Sequence, residues 1–212
     1  MKNFPVFTTQ AGVASLILEQ VPFHKTAYIR IQSSTDYATL LKECLDFCKA
    51  VCAETVYATG DERLASFGNF ASIIRMERPR QGLFTTDAIL QPVTPATAED
   101  FRRIHNNTMC RIPNAAWMTT DKIKDVIDSG ECYFVYQKNT LIGIGIAGGS
   151  WIHSIISMQK GAGETVLRAL NQALRGDTVC VELIDCNLPA KRLYERLGFE
   201  IAEVISNWYK IL

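Results

Sequence analysis

The chain has 212 residues, of which 48% are hydrophobic and 21% charged, and its 22 basic and 22 acidic side chains cancel to a net charge of zero. This composition is typical of a globular protein and excludes wholesale disorder. The balanced charge gives no electrostatic reason to expect nucleic acid or an anionic membrane as a partner.

Sorting signals and cysteines bear on location. Residues 1–5 lack the apolar core of a secretory signal, and the early apolar stretch at 12–18 is too short to cross a bilayer. The seven cysteines form no C-x-x-C pair, and Cys44, Cys48 and Cys52 repeat along a predicted helix as small buried side chains would. We therefore expect a soluble, cytoplasmic protein. The three scattered histidines predict no metal site.

The first half of the chain predicts alternating strands and helices. They are, in order, strands at 12–18 and 26–32, a helix capped by Ser33 or Ser34 and running to Cys52, a strand at 54–59, a short helix at 62–67 and a strand at 71–75. Residues 78–82 are rich in charge and turn formers and are the best linker candidate. We expect two domains, at residues 1–87 and 88–212.

The second half predicts a sheet covered by helices. Its elements are a strand at 89–93, a helix capped by Thr94 or Thr97, a helix at 119–128, strands at 132–137 and 141–147 around a hairpin turn at Lys138–Asn139, a strand at 151–157, a helix ended by Gly176, a strand at 178–184, a helix at 188–197, and strands at 200–204 and 208–212. The predicted fold class is α/β or α+β.

A short glycine-containing turn, residues 159–165, joins the strand at 151–157 to its helix. Gly161 and Gly163 allow a tight backbone turn, and the free N–H groups that begin a helix suit a phosphate or pyrophosphate. A plain structural turn explains the same residues. The spacing fits neither the P-loop nor the three-glycine dinucleotide pattern.

The stretch from Asn187 to Phe199 carries the pattern Asn-x-x-Ala-x-x-Leu-Tyr-x-x-x-Gly-Phe. It resembles the second signature of the GNAT-type N-acetyltransferases, and the glycine turn at 158–163 resembles their first. The resemblance covers about residues 88–212. It implies a mixed, mostly antiparallel central sheet flanked by helices, with acetyl-CoA (coenzyme A) as co-substrate. One departure is Met158, which stands where the family usually has Arg or Gln.

The resemblance also implies roles for individual residues. Tyr194 would protonate the leaving thiolate, because a phenol titrates near 10 and a thiol near 8.5. A backbone N–H near Ile155 or Ile156 would stabilise the acyl oxygen as negative charge develops on it. Read without the resemblance, Asn187 is a helix cap and Tyr194 a half-buried tyrosine. The implied coenzyme-binding residues are Ile155, Ile156, Met158, Gln159, Lys160, Gly161, Ala162, Gly163, Glu164, Thr165, Asn187 and Tyr194.

The general base is the most open assignment. His153 on the central strand would titrate in the right range, and Glu131, Glu182 and Asp185 are the acidic candidates near strand ends. Each of them is also explained as an ordinary surface residue. A chain of waters could accept the proton instead.

The first half echoes the second. Residues 26–77 repeat the predicted element order of residues 151–210, but Ser33–Asp36 replaces the glycine turn, and the Asp36 carboxylate would repel phosphate. We interpret the first half as a degenerate GNAT-like half, which makes the chain a tandem repeat. An unrelated domain that caps the acceptor pocket is the alternative.

The function predicted is therefore N-acyltransfer, acetyl first, to a primary amine on a small molecule or a peptide. The alternative is a catalytically silent GNAT-like module that binds coenzyme A or regulates a partner. No nucleic-acid or membrane partner is expected, and the sequence allows a homodimer.

Overall fold

The computed structural model describes residues 5–82 and 86–212. The chain forms two compact units that do not follow the sequence order. The N-terminal unit consists of Met1–Ile73 together with two short segments, Ile184–Cys186 and Val204–Leu212. The C-terminal unit consists of Ile74–Leu183 and Asn187–Glu203.

The N-terminal unit is a sheet with one long helix on one face. Its strands follow the order β1-β2-β3-β4-β11, with only β3 and β4 parallel. The elements are β1 (Val6–Thr9), β2 (Gly12–Ile17), α1 (Val21–His24), β3 (Thr26–Ser34), α2 (Tyr37–Ala50), β4 (Thr55–Thr59), a 3-10 helix (Glu62–Phe67) and parts of β5 (Asn69–Pro79) and β11 (Glu200–Lys210).

The C-terminal unit is built on the strand order β5-β10-β9-β8-β7-β6, with β9 and β10 parallel and the pairs from β9 to β6 antiparallel. Its remaining elements are β6 (Ile89–Pro92), α3 (Ala98–Met109), α4 (Thr120–Asp128), β7 (Cys132–Gln137), β8 (Thr140–Gly148), β9 (Trp151–Ser157), α5 (Gly163–Leu170), a 3-10 helix (Asn171–Ala173), β10 (Thr178–Ile184) and α6 (Leu188–Arg196). This is the predicted mixed, mostly antiparallel sheet flanked by helices.

Two buried clusters cover opposite faces of the C-terminal sheet. On one face, α5 supplies Val166, Leu167 and Leu170 against Val135 of β7 and Val181 of β10. Glycines at 143 and 145 of β8 make room for this helix, because a Cβ at either position would overlap a side chain of α5. On the other face, residues of α3 and α4 pack against alternate side chains of β7, β8 and β9, among them Phe101, Ile123, Phe134, Ile144 and Ile156.

The two halves of the sequence share a topology. In each, three antiparallel strands lead through a helix to a strand that is parallel to the third: β1-β2-β3-α2-β4 and β7-β8-β9-α5-β10. The strands expected at 54–59 and 178–184 therefore occupy equivalent positions. The degenerate GNAT-like organisation predicted for the N-terminal half is consistent with this correspondence.

Several local predictions differ from the structure. Asp36, and not Ser33 or Ser34, caps α2, because its side chain accepts a hydrogen bond from the Thr39 N–H. The helix expected to end at Gly176 instead ends at Leu170 and continues as a 3-10 turn to Ala173. The two closing strands are one continuous strand, β11, and β1 and α1 are elements that the sequence pattern did not predict.

The unit boundaries also differ from the expected ranges of 1–87 and 88–212. Residues 74–82, which include the linker candidate, belong to the C-terminal unit, and residues 204–212 belong to the N-terminal one. The linker candidate overlaps the end of β5, which runs to Pro79. Within the described part of the chain, no helix combines the length and hydropathy needed to cross a bilayer.

We expect Trp208→Ala to destabilise the N-terminal unit by about 3–5 kcal/mol, the usual cost of removing a large buried side chain. Trp208 is 2% exposed, and its ring centroid lies 5.6 Å from that of Tyr28 in a T-shaped arrangement. Urea unfolding, followed by circular dichroism, measures the effect. The control is Val204→Ala on the same strand, where the side chain is 54% exposed and the change should stay within about 0.5 kcal/mol. Equal effects of the two changes would contradict the assignment of residues 204–212 to this core.

Candidate active site

One extra residue in β9 shapes the candidate site. Ile146 of β8 pairs with Ser154, but the next residue, Ala147, pairs with Ile152, so His153 is left over as a β-bulge. A bulge bends its strand and interrupts the ladder. Beside it, the parallel pairing of β9 with β10 comprises only Cys180 with Trp151 and Val181 with Ile152. The two strands therefore separate at the bulge and leave a gap between their carboxyl ends.

The backbone of Ile155 faces this gap. The Met158 N–H donates to the Ile142 carbonyl at 2.9 Å, which marks these two residues as a hydrogen-bonded pair of the β8–β9 ladder. Because such pairs alternate with non-bonded pairs, Ile156 is bonded to β8 and Ile155 is not. The Ile155 N–H points away from β8, on the side where β10 has separated. The structure thus favours Ile155 over Ile156 as the free donor.

The glycine turn ends in an uncapped helix. Gly161 has a φ of +87°, in the left-handed region, and nothing lies within 4 Å of where its Cβ would be. No side chain caps α5, and the N–H groups of Gly163, Glu164 and Thr165 have no hydrogen-bond partner in the described residues. These three donors lie at the positive end of the helix dipole, where anions bind.

The other predicted donors of the turn are partly occupied. The N–H of Ala162 donates to the Gln159 carbonyl at 3.2 Å, and that of Met158 is held by β8. Gln159 and Lys160 are exposed, and Lys160 contributes a mobile positive charge. The backbone N–H groups that remain free to bind an anion are therefore those in the first turn of α5 and at Gly161 before it.

Glu164 places a carboxylate beside these donors, and two arginines offset its charge. Arg168 donates two hydrogen bonds to it, at 3.0 and 2.9 Å, and Arg196 of α6 approaches to 3.7 Å. A carboxylate at a helix start would otherwise compete with a bound phosphate. The two guanidinium groups leave the local charge positive.

The matching place in the N-terminal half is closed. Both oxygens of Asp36 are bound by Thr39, to its N–H at 3.1 Å and its hydroxyl at 2.7 Å, and these bonds lower the pKa of the carboxyl. Strands β3 and β4 stay paired through five residue pairs, from Thr26 with Thr55 to Arg30 with Thr59. This half has neither the gap nor the free helix start.

Tyr194 is buried in the cluster beneath α5, with its ring 5.4 Å from that of Phe199. Burial raises the pKa of its hydroxyl above the ordinary value. The hydroxyl has no hydrogen-bond partner in the described part of the chain. It therefore remains protonated and free to donate.

Asn187 serves as a helix cap, as one of the two interpretations of the sequence predicted. Its side-chain oxygen accepts a hydrogen bond from the Ala190 N–H at 3.4 Å. The cap places the start of α6 directly after the end of β10. The amide nitrogen of Asn187 stays available as a donor.

The candidates for the general base lie in different parts of the structure. His153 lies at the bulge, its ring parallel to that of Trp151 at 11° and 6.0 Å, and both line a pocket of about 250 Å³ with Ile152 and Glu182. Glu131 precedes β7, and its carboxylate lies over Gly148 of β8, which pairs with Trp151 of β9. Asp185 accepts a hydrogen bond from the Ser72 N–H at 3.0 Å within the N-terminal unit. His153 and Glu182 are thus brought together in one pocket.

Sequence reasoning missed two polar features of this region. Ser154, beside the bulge, is 8% exposed, and its hydroxyl has no hydrogen-bond partner among residues 5–82 and 86–212. Asn106 of α3 binds both the N–H and the carbonyl of Met118, each at 2.9 Å, and so fixes the segment between α3 and α4. The available signal for Asn106 was a polar residue on the apolar side of a helix.

The described residues contain no group of three or more His, Cys, Asp or Glu side chains placed to hold a metal ion. The seven cysteines are free thiols. Burial raises the pKa of Cys44 to about 12 and that of Cys48 to about 11, so both behave as small apolar side chains. Cys52, in contrast, is exposed.

Comparison with solved structures identifies the fold. The chain superposes on a GCN5-related N-acetyltransferase from Sphaerobacter thermophilus with a TM-score of 0.58 and 12% identity, over 94% of this chain and 76% of that one. A functionally unknown protein from Staphylococcus epidermidis matches with a TM-score of 0.58 and 11% identity, over 98% and 93%. A tandem GNAT protein from the clavulanic acid biosynthesis pathway matches with a TM-score of 0.50 and 12% identity, over 94% and 78%.

No family model and no curated protein matches the sequence. The structural matches are numerous, and the ones that carry a family name are N-acetyltransferases of the GNAT type. The chain therefore has the GNAT fold, as the motif at 187–199 predicted.

Burial of Tyr194 predicts a specific pH dependence of stability. The pKa of its phenol is raised on folding, so above about pH 10 the unfolded chain loses this proton first and stability falls by up to about 1.4 kcal/mol per pH unit. Below about pH 10 the phenol is protonated in both the folded and the unfolded chain, so Tyr194 causes no pH-dependent loss of stability there. Tyr194→Phe should remove this part of the alkaline loss, measured by urea unfolding from pH 8.5 to 11.5. Identical alkaline slopes for the two proteins would show that the phenol is not buried as described.

Proposed function

We propose that this chain, which has the GNAT fold, is an N-acyltransferase that moves an acetyl or other short acyl group from acyl-coenzyme A to a primary amine. The observation that carries the proposal is the gap where β9 leaves β10 at the His153 bulge. It leaves the Ile155 N–H unpaired, whereas the neighbouring pairs β7–β8 and β8–β9 each comprise six residue pairs. The free amides that begin α5 follow a few residues along the chain.

The residues present fit a coenzyme A thioester. Its pyrophosphate needs convergent N–H donors and a positive local charge, which the N–H groups of residues 163–165, Arg168 and Lys160 supply. Gly161 leaves the approach open because it has no side chain. Asn187 would bind the pantetheine region through its free amide nitrogen. When bound, the coenzyme supplies an acyl group activated by a thiolate leaving group.

The residues of this chain would share the work of the transfer. The Ile155 N–H donates to the acyl oxygen as that oxygen gains negative charge, an interaction that is stronger in the transition state than before it. The amine nitrogen forms the new bond to the acyl carbon, and the bond to sulphur breaks. Tyr194 gives its proton to the departing sulphur.

The acceptor must lose a proton before or during attack. His153 lies at the bulge and lines the pocket beside the gap, so we assign it this role, with a water chain as the route it would use. Glu131, whose carboxylate lies over Gly148 beside Trp151, is the second candidate for this role. A cytoplasmic location and a homodimer stay predictions.

A silent module that binds coenzyme A but does not turn it over is the competing function. It is favoured by Met158, which is 46% exposed where the family usually has Arg or Gln, and whose thioether cannot bind phosphate. The two functions share the coenzyme site and differ at Tyr194. Substitution of this residue therefore separates them.

We expect Tyr194→Phe to lower kcat by about 100-fold, because general acids contribute roughly that much, while the coenzyme A dissociation constant stays within about twofold. Release of free thiol from acetyl-CoA with an amine panel gives kcat, and calorimetry gives the dissociation constant. Tyr136→Phe, on β7, is the matched control and should keep full activity. A wild-type protein that binds acetyl-CoA but acylates no amine would favour the silent module.

We expect Gly161→Ala to weaken coenzyme A binding about tenfold, since alanine disfavours a φ of +87° by roughly 1–2 kcal/mol. Gly149→Ala is the control, because Gly149 also has a positive φ, of +58°, and open space around it, but it lies in the turn between β8 and β9. Calorimetry should show one coenzyme per chain, bound as tightly by the Gly149 variant as by the wild type. A second bound coenzyme would contradict the closed state of the N-terminal half.

A further inference from the structure

The side of the C-terminal sheet opposite α5 carries charged and aromatic groups that packing does not explain. Ile152 and Ile155 of β9 both belong to the cluster beneath α5, so the two residues between them, His153 and Ser154, face the other way. This is the usual effect of a bulge, which breaks the alternation of side chains. Trp151 lies on that side as well, because it precedes Ile152.

The neighbouring strands continue this surface. In β10, Val181 and Leu183 pack beneath α5, so Glu182 faces the opposite side. In β5, Ile74 and Met76 do the same, which leaves Arg75 and Glu77 on the side of Glu182. We call the surface formed by Trp151, His153, Ser154, Glu182, Glu77, Arg75 and Glu203 the open face.

The open face has an excess of negative charge. Arg75 is bound to two of its carboxylates, to Glu77 at 3.0 Å and to Glu203 at 2.6 Å. Glu182 is exposed and has no ion-pair partner in the described part of the chain. Because one guanidinium faces three carboxylates, an approaching cation is attracted and an approaching anion is repelled.

Glu182 shares its pocket of about 250 Å³ with the parallel rings of Trp151 and His153. An indole face beside a carboxylate is a favourable place for an ammonium group, through cation–π attraction and ion pairing. The unpartnered Ser154 hydroxyl, 8% exposed on the same side of β9, is a second sign of a polar ligand. A buried hydroxyl without a partner is otherwise costly.

We infer that the acceptor carries a second cationic group, which binds between Trp151 and Glu182 while its reacting amine lies near Ile155. This inference rests on the proposed acyl transfer and names the class of its acceptor. Glu182 lies beside His153, because Val181 pairs with Ile152. His153 is two residues from Ile155 along β9, so the two ends of the acceptor would be roughly 7 Å apart, which is the span of about four or five methylenes. An aliphatic diamine of that length fits both ends, whereas an amino acid of the same length would place its carboxylate against Glu182.

The test compares three amines of equal chain length as acceptors from acetyl-CoA: 1,4-diaminobutane, butylamine and 4-aminobutyrate. The wild-type protein should use the diamine with a kcat/KM about tenfold above that of butylamine, and should use 4-aminobutyrate least. Glu182→Gln should reduce the preference for the diamine over butylamine about tenfold. Glu200→Gln, which removes an exposed carboxylate of β11 outside the open face, should keep that preference.

The outcomes separate this inference from acyl transfer itself. Equal use of the diamine and butylamine, with no effect of Glu182→Gln on their ratio, would overturn the cationic subsite and leave acyl transfer standing. If no amine is acylated, acyl transfer fails, and calorimetry with 1,4-diaminobutane then tests the subsite alone. Binding by the wild type that Glu182→Gln abolishes supports the subsite, and absence of binding by the wild type overturns it.

Discussion

The separation of β9 from β10 is the feature on which the candidate site depends. Parallel strands hold each other through regular hydrogen bonds, and a single additional residue, His153, ends that regularity after two pairs. The consequence is an unpaired amide at Ile155 in the middle of a sheet, where unpaired backbone is otherwise rare. The N-terminal half has the same topology and a bulge of its own at Gln32 of β3, but there β3 and β4 pair five times, from Thr26 with Thr55 to Arg30 with Thr59.

The two faces of the C-terminal sheet carry different kinds of side chain, because the bulge interrupts the alternation of side chains along β9. Apolar residues of β9 and β10 hold α5 in place, and with it the uncapped helix start and the buried phenol of Tyr194. The opposite side keeps the polar groups His153, Ser154 and Glu182 at the same opening. A donor bound at the helix start and an acceptor bound on the open face would thus reach the gap from opposite sides, which keeps their binding sites independent.

The sequence predicted the elements that local patterning controls. The apolar spacing of α5 predicted that helix, and Gly198, with a φ of +80°, predicted the end of α6. The pattern at 187–199 predicted the fold. It could not predict the bulge, because His153 becomes an extra residue only through its register with β8. For the same reason, it left Ile155 and Ile156 as equal alternatives. It could not place the Glu131 carboxylate over Gly148 either, because contacts across a sheet are invisible along the chain.

The interleaving of the two units bears on how the protein is made. Residues 204–212 complete the sheet beside β4 and place Trp208 in the first core, yet they leave the ribosome after the whole of the second unit. A nascent chain therefore holds β4 with a bare edge until residues 204–212 have been made, and such edges can pair with the wrong strands. Synthesis of residues 204–212, rather than emergence of the first half, is then the event that lets this core close, and holding chaperones would act before it.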